Sequence, residues 1–364
     1  MQKNNIRVVI AMSGGVDSSL TAALLKERGY DCIGVTMHLW DNENYFDPNN
    51  RGCCSHLTVE DARREAERLD IPYYVLNFKD VFKKTVIDNF IAEYNHGRTP
   101  NPCIACNKYL KFEALLHKAR ELGAEYLATG HYARVRKNPH TGRYDLLAGT
   151  DSAKDQSYAL YNMTQAVLSR FMLPLGEYSK TDVRKMAAAY GLAVADKPDS
   201  QEICFIPDND YRRFLRETAH VVPIPGWFVD KSGKRLGKHA GIQFYTIGQR
   251  KGLQLALGKP AFVTEIRSVT NEVVIGYSED VFSQQFIVTK LNWIAIETLN
   301  QQRNVKVKIR YSATAQPASI HPLESGDVLV VFESPQRAVT PGQSAVFYEC
   351  DSVIGGGVID SIQE

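Results

Sequence analysis

The stretch IRVVIAMSGGVDSSL, residues 6–20, constrains this chain more than any other. An apolar run rich in β-branched residues enters two glycines, and hydroxyl residues then lead into an apolar-periodic segment. Strand, tight turn and helix start, in that order, frame a phosphate-binding loop, where backbone N–H groups and the positive end of a helix meet an anion. Gly14 and Gly15 let the backbone turn inward without a Cβ clash, and Ser13, Ser18 and Ser19 add hydroxyl donors. The Gly-Lys-Ser/Thr of a Walker loop, whose lysine reaches the outer phosphates, is missing. Asp17 stands in the middle instead. A carboxylate cannot sit on a phosphate, so Asp17 either holds Mg²⁺ or orients the loop. A cradle of amides without a lysine suits release of whole pyrophosphate better than stabilisation of a departing γ-phosphoryl group.

The loop opens an alternating pattern that fills the first two hundred residues. Strands are expected over 7–12, 32–37, 73–77 and 126–129, the last running into Gly130. Helices are expected over 18–28, 58–69, 81–94 and 112–122, the first closed by Gly29 as a C′ residue. Ser179-Lys-Thr-Asp182 is a capping-box-like start for a further helix that runs to Tyr190 and Gly191. Such alternation predicts an α/β fold with a doubly wound parallel sheet. Its ligands sit at the carboxyl ends of the strands, where residues 13–18, Met37 and Gly130 fall. After about Pro207 the chain becomes rich in Gly, Pro and aromatics, with short extended runs that suggest a small β-rich module. From about Phe286, VKVKIRY, DVLVVF, SAVFYE and VIGGGVI alternate with period two, as the strands of a barrel or sandwich do. Domains are therefore expected over 1–206, 207–284 and 285–364.

With 364 residues there is room for two or three cores. No apolar stretch approaches the roughly 18 to 20 residues that span a bilayer, and MQKNN leads straight into a strand without the marks of a signal or transit peptide. A cytoplasmic protein with no membrane partner is the expectation. A net charge of +2 neither demands nor excludes a nucleic acid, since a binding patch can be local. Seven cysteines, an odd number, argue for catalysis or metal rather than a disulfide scaffold.

Three of them draw attention. In GRTPNPCIACNKYLKF, residues 97–112, two prolines around Asn101 impose extended backbone and Cys103 and Cys106 follow at CxxC spacing just ahead of a helix. Thiols near a helix N-terminus have a lowered pKa, so more of each is the reactive thiolate, and Lys108 and Lys111 add to the effect. Cys204 lies far downstream in KPDSQEICFIPD. The pair suits half of a zinc site that lacks two ligands, a redox pair without a thioredoxin pattern around it, inert buried cysteine, or sulfur transfer onto an activated substrate. Gly52-Cys53-Cys54-Ser55-His56 lacks standard metal spacing and reads as a loop over the nucleotide site, and Cys32 and Cys350 read as residues of no chemical role.

SGGVDSS resembles the signature of the PP-loop ATP pyrophosphatases, which cleave ATP between the α and β phosphates and adenylate an oxygen of the substrate. Taken together, AMSGGVDSS, TPNPCIACN, ATGHYA, KDQSY, DSQEICFI, YTIGQRKGL and AVTPGQSAVFY resemble the tRNA-specific 2-thiouridylases, the MnmA/TrmU family, in the family's order over residues 11–348. The resemblance implies an adenine nucleotide alpha hydrolase-like PP-loop domain, a small β-rich central domain and a C-terminal tRNA-binding β-barrel, acting as a monomer. It implies ATP-dependent conversion of the wobble uridine C2=O to C2=S in the tRNAs for Lys, Glu and Gln.

By the same resemblance, Ala11, Met12, Ser13, Gly14, Gly15, Val16, Asp17 and Ser18 bind the phosphates of ATP, with Mg²⁺, and Met37 and Gly130 meet the adenosine. Cys106 matches the nucleophile and Cys204 the persulfide carrier. Asn101, Pro102 and Cys103 would face the target base. Lys154, Asp155 and Gln156, together with His131, Arg310, Tyr311 and Gln343, match tRNA contacts. The basic runs Lys231 to Lys238 and Arg250-Lys251 suit tRNA phosphates or a solvated hairpin tip. The resemblance implies a protein sulfur donor, a cysteine desulfurase or a sulfur-relay protein, without naming which.

Cys103 departs from the family, many of whose members have aspartate there. Two mechanisms stay open: a relay that ends in a Cys106–Cys204 disulfide, and a [4Fe-4S] cluster on Cys103, Cys106 and Cys204. An amide-forming PP-loop ligase would have no use for these cysteines. A non-catalytic RNA-binding protein would keep tRNA affinity without turnover.

Overall fold

The computed structural model describes residues 5–40, 56–198, 203–206 and 208–363. They fall into two compact units, the first made of Met1–Val86, Cys103–Asn209 and Asp351–Val353. Its five strands form a wholly parallel sheet in the order Tyr73–Asn77, Asp31–His38, Arg7–Ala11, Tyr126–Ala128, Phe171–Met172. The four expected strands are all there, whereas the fifth is only two residues long and offers no periodicity to read. Strand order reverses between Arg7–Ala11 and Tyr126–Ala128, and open α/β sheets take their ligands in the crevice beyond the carboxyl ends at such a switch point.

Val8, Val9 and Ile10 are all fully buried. Since successive side chains of a strand point to opposite faces, both faces of this strand are covered. Helix Val16–Glu27 begins two residues before its expected start, with Gly15 as N-cap. Its Val16, Leu20, Ala23 and Leu24 pack with Tyr132, Leu175, Val183 and Ala187, while Ala22 and Leu25 pack with Val8, Ile10 and Met12. Each buried leucine contributes roughly 1.5–3 kcal/mol, so a helix seated on two sides holds the loop at its start in place.

A larger difference concerns the helix expected over 112–122. It begins ten residues earlier, as Pro102–Ala105, a π-helical run Cys106–Leu115 and Leu116–Glu121 without a break. Pro102 does not hold the backbone extended. It occupies the first helical position, where its missing N–H costs nothing and its fixed φ suits the helix. Cys103 and Cys106 therefore lie inside the helix rather than ahead of it. The hairpin Ala133–Lys137 with Tyr144–Ala148 also belongs to this unit.

The second unit comprises Ile87–Pro102, Asp210–Cys350 and Ile354–Glu364. Its small sheet runs Phe262–Arg267, Glu272–Gly276, Gly226–Val229, Arg235–His239. Six further strands close a barrel in the order Phe282–Trp293, Val328–Arg337, Gln316–Pro322, Arg303–Lys308, Ser344–Glu349, Ser352–Gln363, the last pairing back onto the first. Phe286, Val307, Ile320, Val330, Phe332 and Phe347 fill its interior. No helix among the described residues is long and apolar enough to cross a membrane.

Candidate active site

The loop is built so tightly that its first glycine has no substitute. Gly14 has a φ of 67°, and a Cβ there would stand 2.0 Å from the Thr58 carbonyl oxygen. Ser18 Oγ accepts from the Ser13 N–H at 3.2 Å and donates to the Gly15 carbonyl at 3.1 Å. That hydroxyl, expected to face a phosphate, is spent on the loop's own backbone. Gly130 follows strand Tyr126–Ala128, and a Cβ on it would lie 2.8–2.9 Å from atoms of Asp17 and Ser18. Met37 is half-buried near the end of Asp31–His38. Ala11 to Ser18, Met37 and Gly130 thus all lie at carboxyl ends of neighbouring parallel strands.

Lysine, missing from the loop's sequence, arrives from elsewhere in the chain. Lys180 opens helix Lys180–Ala189, and its ammonium lies 2.7 and 2.8 Å from the two oxygens of Asp17. The Tyr132 hydroxyl donates to Asp17 Oδ1 at 2.6 Å. Lys197 Nζ donates to the Gly14 carbonyl at 2.8 Å and to Asp61 Oδ2 at 2.6 Å. Sequence reading missed both lysines, because the Asp17 pair spans 163 residues. One signal was available: Ser179 caps the helix as expected, accepting from the Asp182 N–H at 3.1 Å, and this fixes Lys180 at the first helical position.

Of the thiols, Cys103 is exposed in the first helical turn, and Cys106, half-buried, opens the π-helical run. Such runs are rare and gather at functional sites. Cys204 is half-buried in a turn closed by the Ile206 N–H on the Ile203 carbonyl at 2.8 Å. Beside it Phe205 packs edge-on against Phe82 with ring centres 5.7 Å apart. Residues 199–202 of DSQEICFI, together with Gly52, Cys53, Cys54 and the side chain of His56, lie outside the described residues. Cys32, Cys103, Cys106, Cys204 and Cys350 are not joined in disulfides with one another. Burial, with Asp31 adding to it, pushes the Cys32 thiol up to about 11, as a residue without chemistry should be.

The residues expected to contact RNA divide. Asp155 and Gln156 are occupied by their own loop: Asp155 accepts from the Gly149 and Ser157 N–H groups, and Gln156 Oε1 accepts from the Tyr132 N–H at 3.0 Å. Lys154 beside them is half-buried. His131 is half-buried and hydrogen-bonded to Thr129. Gln343 Nε2 donates to the Thr99 and Pro100 carbonyls at 2.9 and 3.3 Å, bracing the chain just before Asn101. Arg310 and Tyr311 lie two to three residues beyond strand Arg303–Lys308 rather than ending it, and Tyr311 is 48% exposed.

This chain is 55% identical over 356 residues to the tRNA-specific 2-thiouridylase MnmA of Clostridium perfringens, covering 98% of this chain and 99% of that protein. It is 55% identical over 360 residues to the tRNA-specific 2-thiouridylase MnmA of Carboxydothermus hydrogenoformans, covering 97% of each. The chain belongs to the tRNA-specific 2-thiouridylase family. Family models agree along its length: residues 6–208 match the tRNA methyl transferase HUP domain, 212–277 the tRNA methyl transferase PRC-barrel domain and 283–359 the aminomethyltransferase beta-barrel domain.

For a 2-thiouridylase of this kind, two inorganic groups can be tested against the side chains. A cluster held by this chain would need at least three gathered thiolates. Among the described residues no three His, Cys, Asp or Glu side chains come together in that way. Cys103, Cys106 and Cys204 do not fit the cluster. Mg²⁺ asks for less, since one or two carboxylates plus substrate phosphates hold it. Asp17 meets that need, in exchange for the Lys180 ammonium that now neutralises it.

Proposed function

We propose that this protein is an ATP-dependent tRNA sulfurtransferase that replaces the C2 oxygen of the wobble uridine with sulfur in the tRNAs for Lys, Glu and Gln. One observation carries the reading: a pyrophosphate-type loop and the cysteines Cys103, Cys106 and Cys204 occupy one compact unit of a chain 55% identical, over nearly its whole length, to named tRNA 2-thiouridylases. In this reading 1–206 is the catalytic domain, 207–284 the central domain and 285–364 the tRNA-binding barrel of a cytoplasmic monomer.

The chemistry follows from the groups present. The uridine C2 oxygen is a poor leaving group. With ATP lying along Ala11 to Ser18, and Met37 and Gly130 against its adenosine, that oxygen attacks the α-phosphorus and pyrophosphate departs. Lys180 and Lys197 stand where the departing charge forms, as preorganised cations of the kind that lower such barriers most. Mg²⁺ on Asp17 would add to the same stabilisation. AMP then makes the C2 oxygen a good leaving group.

Sulfur reaches the protein as a persulfide on Cys204, delivered by a cysteine desulfurase or a relay protein. The Cys106 thiolate attacks the inner sulfur of that persulfide, forming a Cys106–Cys204 disulfide and freeing hydrosulfide. Hydrosulfide adds at C2, AMP takes the electron pair of the broken C–O bond, and C2=S forms with loss of a proton. A thiol reductant restores both cysteines with two electrons before the next turnover. Cys103, exposed three residues before Cys106, is a helper that faces the base with Asn101 and Pro102. Lys154, His131, Arg310, Tyr311 and Gln343 are the residues this reading assigns to tRNA contact.

The test is thiolation of unmodified glutamate tRNA by the purified chain with ATP, a cysteine desulfurase and cysteine. Mass spectrometry of the digested tRNA should show one 2-thiouridine at the wobble position. Conversion of ATP to ADP, or sulfur elsewhere in the tRNA, would overturn the reading.

A further inference from the structure

Two of the lysines around the loop face carboxylates, and a third does not. Lys180 faces Asp17 at 2.7 Å and Lys197 faces Asp61 at 2.6 Å. Lys111, on the helical run that carries Cys106, has its ammonium 2.8 Å from Asn107 Oδ1 and 3.4 Å from His131 Nε2, and no carboxylate among the described residues pairs with it.

Both of its partners are neutral and already committed. Asn107 is 3% exposed and donates to the Ala159 carbonyl at 3.0 Å. An ammonium can only donate, so His131 Nε2 accepts, and the proton on Nδ1 goes to Thr129 Oγ1 at 2.7 Å. Burial first, and then the Lys111 charge, hold His131 well below the ordinary histidine range, so the ring adds no positive charge. Among the described residues, the result is one half-buried cation set among hydrogen-bonding groups without a counter-ion. Burying charge unpaired is costly, and a site that does so is made for an anion supplied from outside.

Its position names the anion. Lys111 follows Cys106 by five residues inside a π-helical run, a little over one turn, so the two lie toward the same side of the helix. On its other side His131 follows Gly130, whose backbone abuts Asp17 and Ser18 of the loop. Lys111 therefore stands between the sulfur chemistry and the nucleotide.

We propose that the Lys111 ammonium binds the phosphate of the adenylated uridine and stays with it as AMP leaves; this rests on the thiolation reading above. When sulfur adds at C2 and the C2–O bond breaks, the electron pair passes to the phosphate oxygen and the ester monoanion becomes the AMP dianion. A fixed cation meets that added charge without reorganising, and removing one such donor costs about 10²–10³-fold in rate.

The experiment compares Lys111→Gln and Lys111→Arg with wild type in single-turnover thiolation. Pyrophosphate release, ATP affinity, inhibition by AMP and melting temperature are followed in parallel. Lys111→Gln should slow thiolation by about 10²–10³-fold while adenylated tRNA accumulates. It should also weaken AMP inhibition at nearly unchanged ATP affinity, and Lys111→Arg should recover most of both. Where the Gln variant fails to fold, Lys111→Met supplies the same comparison with an apolar end of similar length. Thiolation and AMP inhibition at wild-type levels in Lys111→Gln would overturn the proposal. So would parallel loss of every activity together with stability, without rescue by arginine. If wild type itself does not thiolate, the functional reading fails instead, and the two failures remain distinct.

Discussion

The nucleotide loop and the thiol-bearing segments belong to the same compact unit but are built on opposite plans. At the loop the Asp17 charge is matched and two glycines are hemmed in: Asp17 by Lys180 and Tyr132, Gly14 by Thr58, Gly130 by Asp17 and Ser18. The thiols stand on separate segments, Cys103 and Cys106 on a helix and Cys204 in a turn anchored by Phe205, and each has surface open to solvent. The difference teaches how the labour is divided. Adenylation needs fixed electrostatics, which a preorganised loop supplies. Sulfur transfer needs thiols that can be reached by a donor, attack each other and be reduced again, and a sealed core would forbid all three.

The largest effect should come from separating the two plans. Cys106→Ser and Cys204→Ser are each expected to lower thiolation by at least about 10³-fold, as loss of a nucleophile does, while ATP binding and tRNA-dependent pyrophosphate release persist. Loss of ATP affinity in either variant would break the comparison. Next comes the loop itself. Gly14→Ala combines a positive φ with a Cβ 2.0 Å from a backbone oxygen. It should cost about 2–4 kcal/mol of stability, read as a lowered urea midpoint, and abolish ATP binding.

A smaller effect sharpens the electrostatics. The side chains of Lys180 and Asp17 are 12% and 30% exposed, so Lys180→Met should cost about 1–3 kcal/mol by stranding the carboxylate. Adding Asp17→Asn should return part of that, and the two changes summing without interaction would mean the pair is not coupled. Cys103→Ser should change thiolation by less than about threefold, since the proposed relay runs through Cys106 and Cys204. The mildest prediction concerns acid. His131 is held neutral below the ordinary value of about 6.5, so as pH falls through that value the unfolded chain binds a proton the folded one refuses. Stability present at neutral pH should fall as pH drops below about 6.5, and His131→Asn should flatten the slope.

How much could be read beforehand follows the same division. The parallel sheet, the loop and the capped helix at Ser179 were legible because strand periodicity, paired glycines and a capping residue are local signals. SAVFYE was legible to the residue as a strand, for its alternation is regular. The lysines of the loop were not, because nothing near Asp17 announces a partner 163 residues away. Nor was the true start of the cysteine helix, since Pro102 reads equally as a breaker and as a first helical residue. Gln343 shows a third limit: its amide braces Thr99 and Pro100, and the first of these contacts spans 244 residues of sequence.

The most direct measurement is a single turnover on enzyme carrying one persulfide at Cys204, with unmodified tRNA, ATP and no further donor. Pyrophosphate, AMP and 2-thiouridine are quantified together with the thiol state of Cys106 and Cys204. The account predicts equal amounts of all three products and a Cys106–Cys204 disulfide. AMP and pyrophosphate without 2-thiouridine, or 2-thiouridine formed with both cysteines still reduced, would contradict it.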